Sequence, residues 1–268
     1  MLPLQNADFH VHTIFCDGAS RAEETVLSAI ARGFCAIGFS SHAPMPFPTS
    51  WAMRAEETAS YRAEIAALKE KYRDQIAIFC GVEQDYFCET PTDIYDYAIG
   101  AVHCIQKGGD DLPVDDSPQT TRHNLDTYYH GDFSAYAEDY FALVTDFVKR
   151  GGMDLVGHFD LITKFCERGI GYDPTDARYR AAWKRAVDAI LEAGIPIEIN
   201  TGAISRGYRE MPYPSEEILR YFAERGGKAV LTSDSHRADT IGAYFDRAAM
   251  LAEKTGITLV RSFGRVSF

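Results

Sequence analysis

Nine side chains capable of binding metal punctuate this 268-residue chain, and each falls at or just after the end of a short apolar run. In chain order they are His10, His12, Asp17, His42, Glu83, His103, His158, Asp234 and His236. Residues at i and i+2 of a strand point to the same face, so His10 with His12, and Asp234 with His236, are predicted to reach one ion as pairs. Imidazole and carboxylate without thiolate suit zinc, iron or manganese in hydrolytic sites. A lone histidine is more often a hydrogen-bonded core or surface residue. Here six of the eight histidines follow apolar runs, and the series predicts a multinuclear metal centre. His123 and His130 fall in a polar stretch and are expected to be solvated.

The elements that must position these residues follow from hydrophobic periodicity. Strands are predicted at 7–12, 34–40, 76–82, 98–104, 154–158, 195–200, 229–233 and, more weakly, 257–261. Helices are predicted over 20–32, 54–73, 134–150, 175–193, 215–225 and 238–255. Gly33, Gly151-Gly152, Gly194 and Gly226-Gly227 each follow a helical stretch, where a left-handed cap favours glycine. Strand alternating with helix predicts a parallel sheet. Seven or eight strands without a GxGxxG motif favour an α/β barrel over an open dinucleotide-binding sheet. Every candidate ligand then sits at the C-terminal end of its strand, where such barrels place their chemistry. Two segments interrupt the alternation: the proline-rich, aromatic stretch 43–53 after His42, and the polar stretch 106–132 after His103. Both are expected to act as loops over the mouth.

Composition bounds the function. At 46% hydrophobic the chain can bury a full core, and no domain boundary is apparent, so 1–268 is read as one domain. A net charge of −12 argues against nucleic acid or an anionic membrane as partner. It also requires metal ions and a few cations to reverse the local field around any anionic substrate. Six scattered cysteines without a CxxC pair suit reduced thiols. Residues 1–5 carry no signal-like pattern and no apolar run approaches membrane length, so a soluble, cytoplasmic protein is expected. The oligomeric state is left open.

The His-x-His start, the strand-end Glu83 and the closing Asp234-Ser235-His236 resemble the polymerase and histidinol phosphatase (PHP) family, essentially end to end. Ser41-His42-Ala43-Pro44, Trp51-Ala52-Met53-Arg54, Gly81-Val82-Glu83-Gln84-Asp85-Tyr86, Val114-Asp115-Asp116-Ser117-Pro118 and His158-Phe159-Asp160-Leu161-Ile162 resemble its histidinol-phosphate phosphatase branch. The resemblance implies a distorted (β/α)7 barrel with up to three divalent transition-metal ions (zinc, iron and/or manganese) at its C-terminal mouth. It implies that His10, His12, Glu83 and Asp234 hold one ion, and that Glu83 bridges to a second held by His103 and His158. The third site matches Asp17, His42 and His236, although Asp17-Gly18 is also an ordinary turn dipeptide. The implied substrate is L-histidinol phosphate, cleaved to L-histidinol and phosphate in histidine biosynthesis.

From the residues, two ions sharing a carboxylate lower the pKa of a water between them, and a third can neutralise a phosphoryl oxygen. With Glu83 shared between two ions, as the resemblance implies, it is the expected catalytic bridge. Arg206, following the sixth strand, is the favoured phosphate clamp, with Lys164 and Arg54 as further candidates. Asp160 is a candidate for protonating the leaving group or for orienting a ligand. Trp51, Phe47, Asp115 and Asp116 are candidates for the cationic end of the substrate. The alternatives are a PHP-type phosphoesterase for another small phosphate or a nucleic-acid end, a non-catalytic metal-binding barrel, and an amidohydrolase. The last usually adds a strand-end lysine, which no strand candidate carries.

Overall fold

Residues 6–268 are described here from a computed structural model. In chain order the elements are β1 (Ala7–Asp8), α1 (Ala22–Ala31), β2 (Ala36–Phe39), α2 (Thr58–Lys71), β3 (Ala77–Asp85), β4 (Tyr97–Ala101), β5 (Cys104–Lys107), β6 (Asp110–Pro113), α3 (Pro118–Tyr129), α4 (Phe133–Arg150) and β7 (Leu155–Val156). There follow α5 (Ala177–Ala193), β8 (Ile197–Asn200), α6 (Gly202–Ser205), α7 (Glu216–Ala223), β9 (Lys228–Thr232), α8 (Phe245–Thr255), β10 (Thr258–Leu259), β11 (Ser262–Phe263) and β12 (Val266–Ser267). Residues 1–5, read above for a signal, lie outside the described residues.

The main sheet runs β1-β2-β3-β4-β7-β8-β9-β10 with every pairing parallel. Its first seven strands close on themselves. Past the end of β1, Val11 bridges Ser235 in parallel: the His12 amide donates to the Ser235 carbonyl (2.8 Å) and the Ser235 amide to the His10 carbonyl (3.1 Å). β10 hangs on the outer edge of β9. This is the distorted seven-stranded α/β barrel, and each predicted strand and helix has its counterpart, most of them shorter.

Strands buried on both faces read as continuous apolar runs, as in Ala36-Ile37-Gly38-Phe39. Inside the barrel, Phe9, Tyr97, Ile99, Leu155 and Val230 pack with Phe263 and Val266 of the C-terminal hairpin. Tyr97 donates to the Phe9 carbonyl (2.6 Å), and a Cβ at Gly38 or Gly81 would collide with its ring. The helices cover the outside. On α5, Tyr179, Ala182, Trp183, Ala186, Val187 and Ile190 form the buried stripe, Asp176 caps the first turn and Gly194 ends the helix at φ 68°.

One expectation needs correction. The stretch 106–132 is not a structureless loop. β5 and β6 pair as a hairpin through Gly108 (φ 65°) and Gly109 (φ 92°), and α3 starts at a Ser117 cap with Pro118 in its first turn. The connection from β3 to β4 contains no helix, in keeping with the absence of a helical pattern between the strands predicted at 76–82 and 98–104. Segment 43–53 contains no helix or strand.

Candidate metal centre

The barrel brings all nine sequence-predicted ligands to one mouth. Glu83, fully buried at the end of β3, is the hub. Its Oε2 lies 3.1 Å from His10 Nε2, 3.4 Å from His12 Nε2 and 2.9 Å from His42 Nδ1. Its Oε1 lies 2.9 Å from His158 Nε2 and 3.4 Å from His103 Nε2. Asp234 Oδ1 approaches His12 Nε2 (3.1 Å) and His10 Nε2 (3.7 Å). Farther out, Asp17 faces His236 Nε2 (3.3 Å), His12 Nδ1 (3.7 Å) and His42 Nε2 (3.8 Å). Four overlapping groups have ion-binding geometry: His12, Asp17, His42 and His236; His10, His12 and Asp234; His10, Glu83 and His158; His42, Glu83 and His103. The groups interleave more than the partition implied by the resemblance, because His10, His12 and His42 each serve two of them.

The pairs are presented by turns as much as by strand pleat. Asp234 sits at φ 47°, a left-handed conformation that aspartate tolerates better than most residues, and this turn aims both Asp234 and His236 inward. His10 and His12 flank Val11, the residue that closes the barrel.

The donor set fits divalent ions. His10 Nε2, His12 Nε2, His42 Nδ1 and Glu83 Oε2 are buried and make no hydrogen bond, yet they converge within 2.9–3.4 Å of Glu83 Oε2. Buried polar atoms left without partners are costly, and a shared cation resolves them together. The electrostatics agree. Burial alone would raise the Glu83 carboxyl, but His42, His10 and His103 hold it well below the usual range. Burial would likewise strip the proton from His10, yet Glu198, Glu83 and Asp234 hold its pKa well above the ordinary value. His12 is lowered to about 3 by burial and by the neighbouring His236 and His42.

A cavity of about 380 Å³ opens above the hub, lined among others by Asp17, His42, Trp51, His103, Asp115, Asp116, His158, Lys164, Arg206 and Tyr208. That volume suits a small molecule. Trp51 stands edge-on to His42, with ring centroids 4.7 Å apart. Lys164 Nζ donates to the Asp115 carboxylate (2.9 Å) and carbonyl (2.8 Å). Arg206 donates to Asp234 Oδ2 (2.9 Å), while its buried Nε has no partner.

Three sequence candidates, Arg54, Asp160 and Phe47, are not among the residues lining the cavity. Arg54 is exposed and pairs with Glu57 (2.6 Å). Asp160 is fully buried behind the wall, where Oδ2 accepts from the Ser215 amide (3.0 Å) and Arg209 lies 3.9 Å from Oδ1. Phe47 packs on Phe87, and His123 and His130 are exposed on and after α3. Conversely, sequence reading passed over two buried carboxylates that hold ligand rings: Glu198, 2.8 Å from His10 Nδ1, and Asp85, 3.2 Å from His103 Nδ1. Their signal was present, an acid inside an apolar strand in Ile197-Glu198-Ile199 and an i, i+2 partner to Glu83.

Comparisons with known proteins converge on this architecture. The profile of the PHP domain matches residues 8–202, which leaves Asp234 and His236 beyond the matched segment. A protein of Deinococcus radiodurans named "Probable histidinol-phosphatase" is 29% identical over 249 residues, covering 89% of this chain and 89% of the relative. The histidinol-phosphatase of Bacillus subtilis is 27% identical over 266 residues, covering 91% and 98%. Among solved structures, the histidinol phosphate phosphatase of Lactococcus lactis, complexed with zinc, L-histidinol and phosphate, superposes with a TM-score of 0.73 at 24% identity, covering 97% of each chain.

Proposed function

The chain belongs to the PHP domain family, and from that premise we propose that it is a metal-dependent phosphomonoesterase that hydrolyses L-histidinol phosphate to L-histidinol and phosphate. The observation that carries the reading is the coincidence of a Glu83-centred cluster of nine N/O donors with a small cavity that also exposes Lys164 and Arg206. The names of the full-length relatives support the substrate, and the zinc, L-histidinol and phosphate of the Lactococcus structure support the metal and product classes.

In this reading His10, His12, Asp17, His42, Glu83, His103, His158, Asp234 and His236 hold up to three divalent ions. Such ions supply a nucleophilic water at neutral pH and neutralise charge on the phosphoryl oxygens. Glu83 presents both carboxylate oxygens to separate imidazole groups, which lets one residue serve two neighbouring ions. Arg206 and Lys164 turn their cationic groups towards the cavity and the phosphate oxygens. Trp51, Asp115 and Asp116 also line the cavity and receive the amine and imidazole end. Asp160 acts through the fold: it fixes the wall after His158 and does not touch substrate. The whole chain forms one catalytic domain for a soluble small-molecule substrate; among the described residues no helix is long and apolar enough to cross a membrane.

The test is phosphate release by the zinc-loaded or manganese-loaded protein from histidinol phosphate, a panel of sugar phosphates and a short oligonucleotide. A clear preference for histidinol phosphate is expected. Equal or better turnover of a sugar phosphate, or of the oligonucleotide, would overturn the substrate assignment.

A further inference from the structure

Six of the seven barrel strands lead into a candidate ligand; β8 leads into Asn200 and Thr201. Its contribution lies deeper. Glu198, at the middle of β8, is fully buried and receives four contacts. Oε2 lies 2.8 Å from His10 Nδ1 and accepts from Thr232 Oγ1 (2.8 Å). Oε1 accepts from Asn200 Nδ2 (2.7 Å) and from the backbone amide of His158. Three of these partners can only donate or are oriented to donate, so the carboxylate acts solely as acceptor.

We propose that Glu198 is a positioning residue shared by two ion sites, setting the tautomer of His10 through one oxygen and the placement of His158 through the other. The inference rests on the metal-centre reading above. A carboxylate cannot donate, so His10 must carry a proton on Nδ1, and an ion that displaces any proton from Nε2 would meet a lone pair aimed between Glu83 and Asp234. The same carboxylate anchors the backbone of His158, whose ring reaches the other oxygen of Glu83. One buried acid thus ties together ligands that face opposite oxygens of the bridging Glu83.

Glutamine is the discriminating replacement, because it keeps the shape and converts one acceptor into a donor. If its NH2 turns to His10, the ring must protonate Nε2 and lose the ion-facing lone pair. If it turns to His158, it meets a backbone N–H, and Asn200 cannot swap its amide to compensate because its Oδ1 already accepts from Gly202 N (2.8 Å). Neither rotamer preserves both ligands.

The experiment uses zinc alone as probe. In the zinc-loaded parent, long-range 1H–15N spectra should show His10 protonated at Nδ1; an Nε2–H signal would overturn the proposal without any variant. In Glu198→Gln, zinc affinity by chelator competition should fall about 10–100-fold, the loss expected for an outer partner of a ligating histidine. Parental zinc affinity, with only the zinc-free melting temperature lowered, would mean that Glu198 serves packing alone and would sink the idea. A parent that takes up no zinc would instead overturn the metal-centre reading itself, a failure separable from the first two.

Discussion

Arg206 Nη1 lies 2.8 Å from His236 Nδ1, so a guanidinium that can only donate is paired with the ring nitrogen of a candidate ligand. The same nitrogen lies 3.0 Å from the Asp234 carbonyl, and Nε2 of the ring faces the Asp17 carboxylate 3.3 Å away. The outermost group therefore has hydrogen-bonding neighbours within the protein, whereas the buried donors around Glu83 Oε2 have none among the described residues. Asp17 and His236 are also the most exposed members of the set, at 33% and 21%.

A graded loss of metal is the first expectation. An ion at Asp17, His42 and His236 competes with the Arg206 contact and meets solvent, so it should leave before those around Glu83. Timed chelation with elemental analysis should release the ions in at least two steps. Single-step loss of every ion would refute the ranking.

Replacing Arg206 with alanine removes a cation from the cavity wall and its charge-assisted contacts. A loss on the order of 2–3 kcal/mol, or roughly 30–150-fold in kcat/KM, is expected. Arg206→Lys should recover only part, since an ammonium cannot hold Asp234 and phosphate with one planar group. Initial rates of phosphate release decide it; kinetics within twofold of the parent would reassign the clamp to Lys164.

Selectivity should track Trp51. The metal centre reads only phosphate, so preference for a substrate bearing an amine and an imidazole must come from the walls. Trp51→Ala should lower kcat/KM for histidinol phosphate far more than for a generic aryl phosphate. The quantity to measure is the ratio of the two, and an unchanged ratio would remove Trp51 from recognition.

Asp160 separates a chemical role from an architectural one. It contacts the Ser215 amide and lies near Arg209, away from the cavity, and burial raises its pKa despite the nearby Arg209. Asp160→Asn should therefore keep most of kcat while lowering the melting temperature by a few degrees, as expected for about 1–2 kcal/mol in a domain of this size. A drop in kcat of a hundredfold with unchanged melting would restore it as the proton donor.

The sequence disclosed the barrel because parallel strands are apolar on both faces, and their ends announce themselves wherever a histidine or acid breaks the run. His42, Glu83, His103 and His158 were legible for that reason. What escaped was whatever depends on neighbours distant in the chain. Glu198 reads as one polar residue in a strand until β1 and β7 are seen beside it, and Asp160 reads as a site residue because it neighbours His158 in sequence, although its carboxylate faces the other way. The hairpin and α3 within 106–132 carried local signals, Gly108-Gly109 and Ser117-Pro118, that the stretch's polarity obscured.

The closing bridge between Val11 and Ser235 has a bearing on the life history of the molecule. Asp8 fastens the same seam, accepting from the Ser233 amide across 225 residues of chain and from the Gly242 amide. His10 and His12 lie on one lip of the seam, Asp234 and His236 on the other. An ion shared by His12 and Asp234 would thus be a staple over most of the chain, able to form only after the ninth strand has been synthesised and docked. Metal uptake becomes a checkpoint on completed folding: a nascent or truncated chain lacking that strand has most of the histidines but no closed ring in which to arrange them.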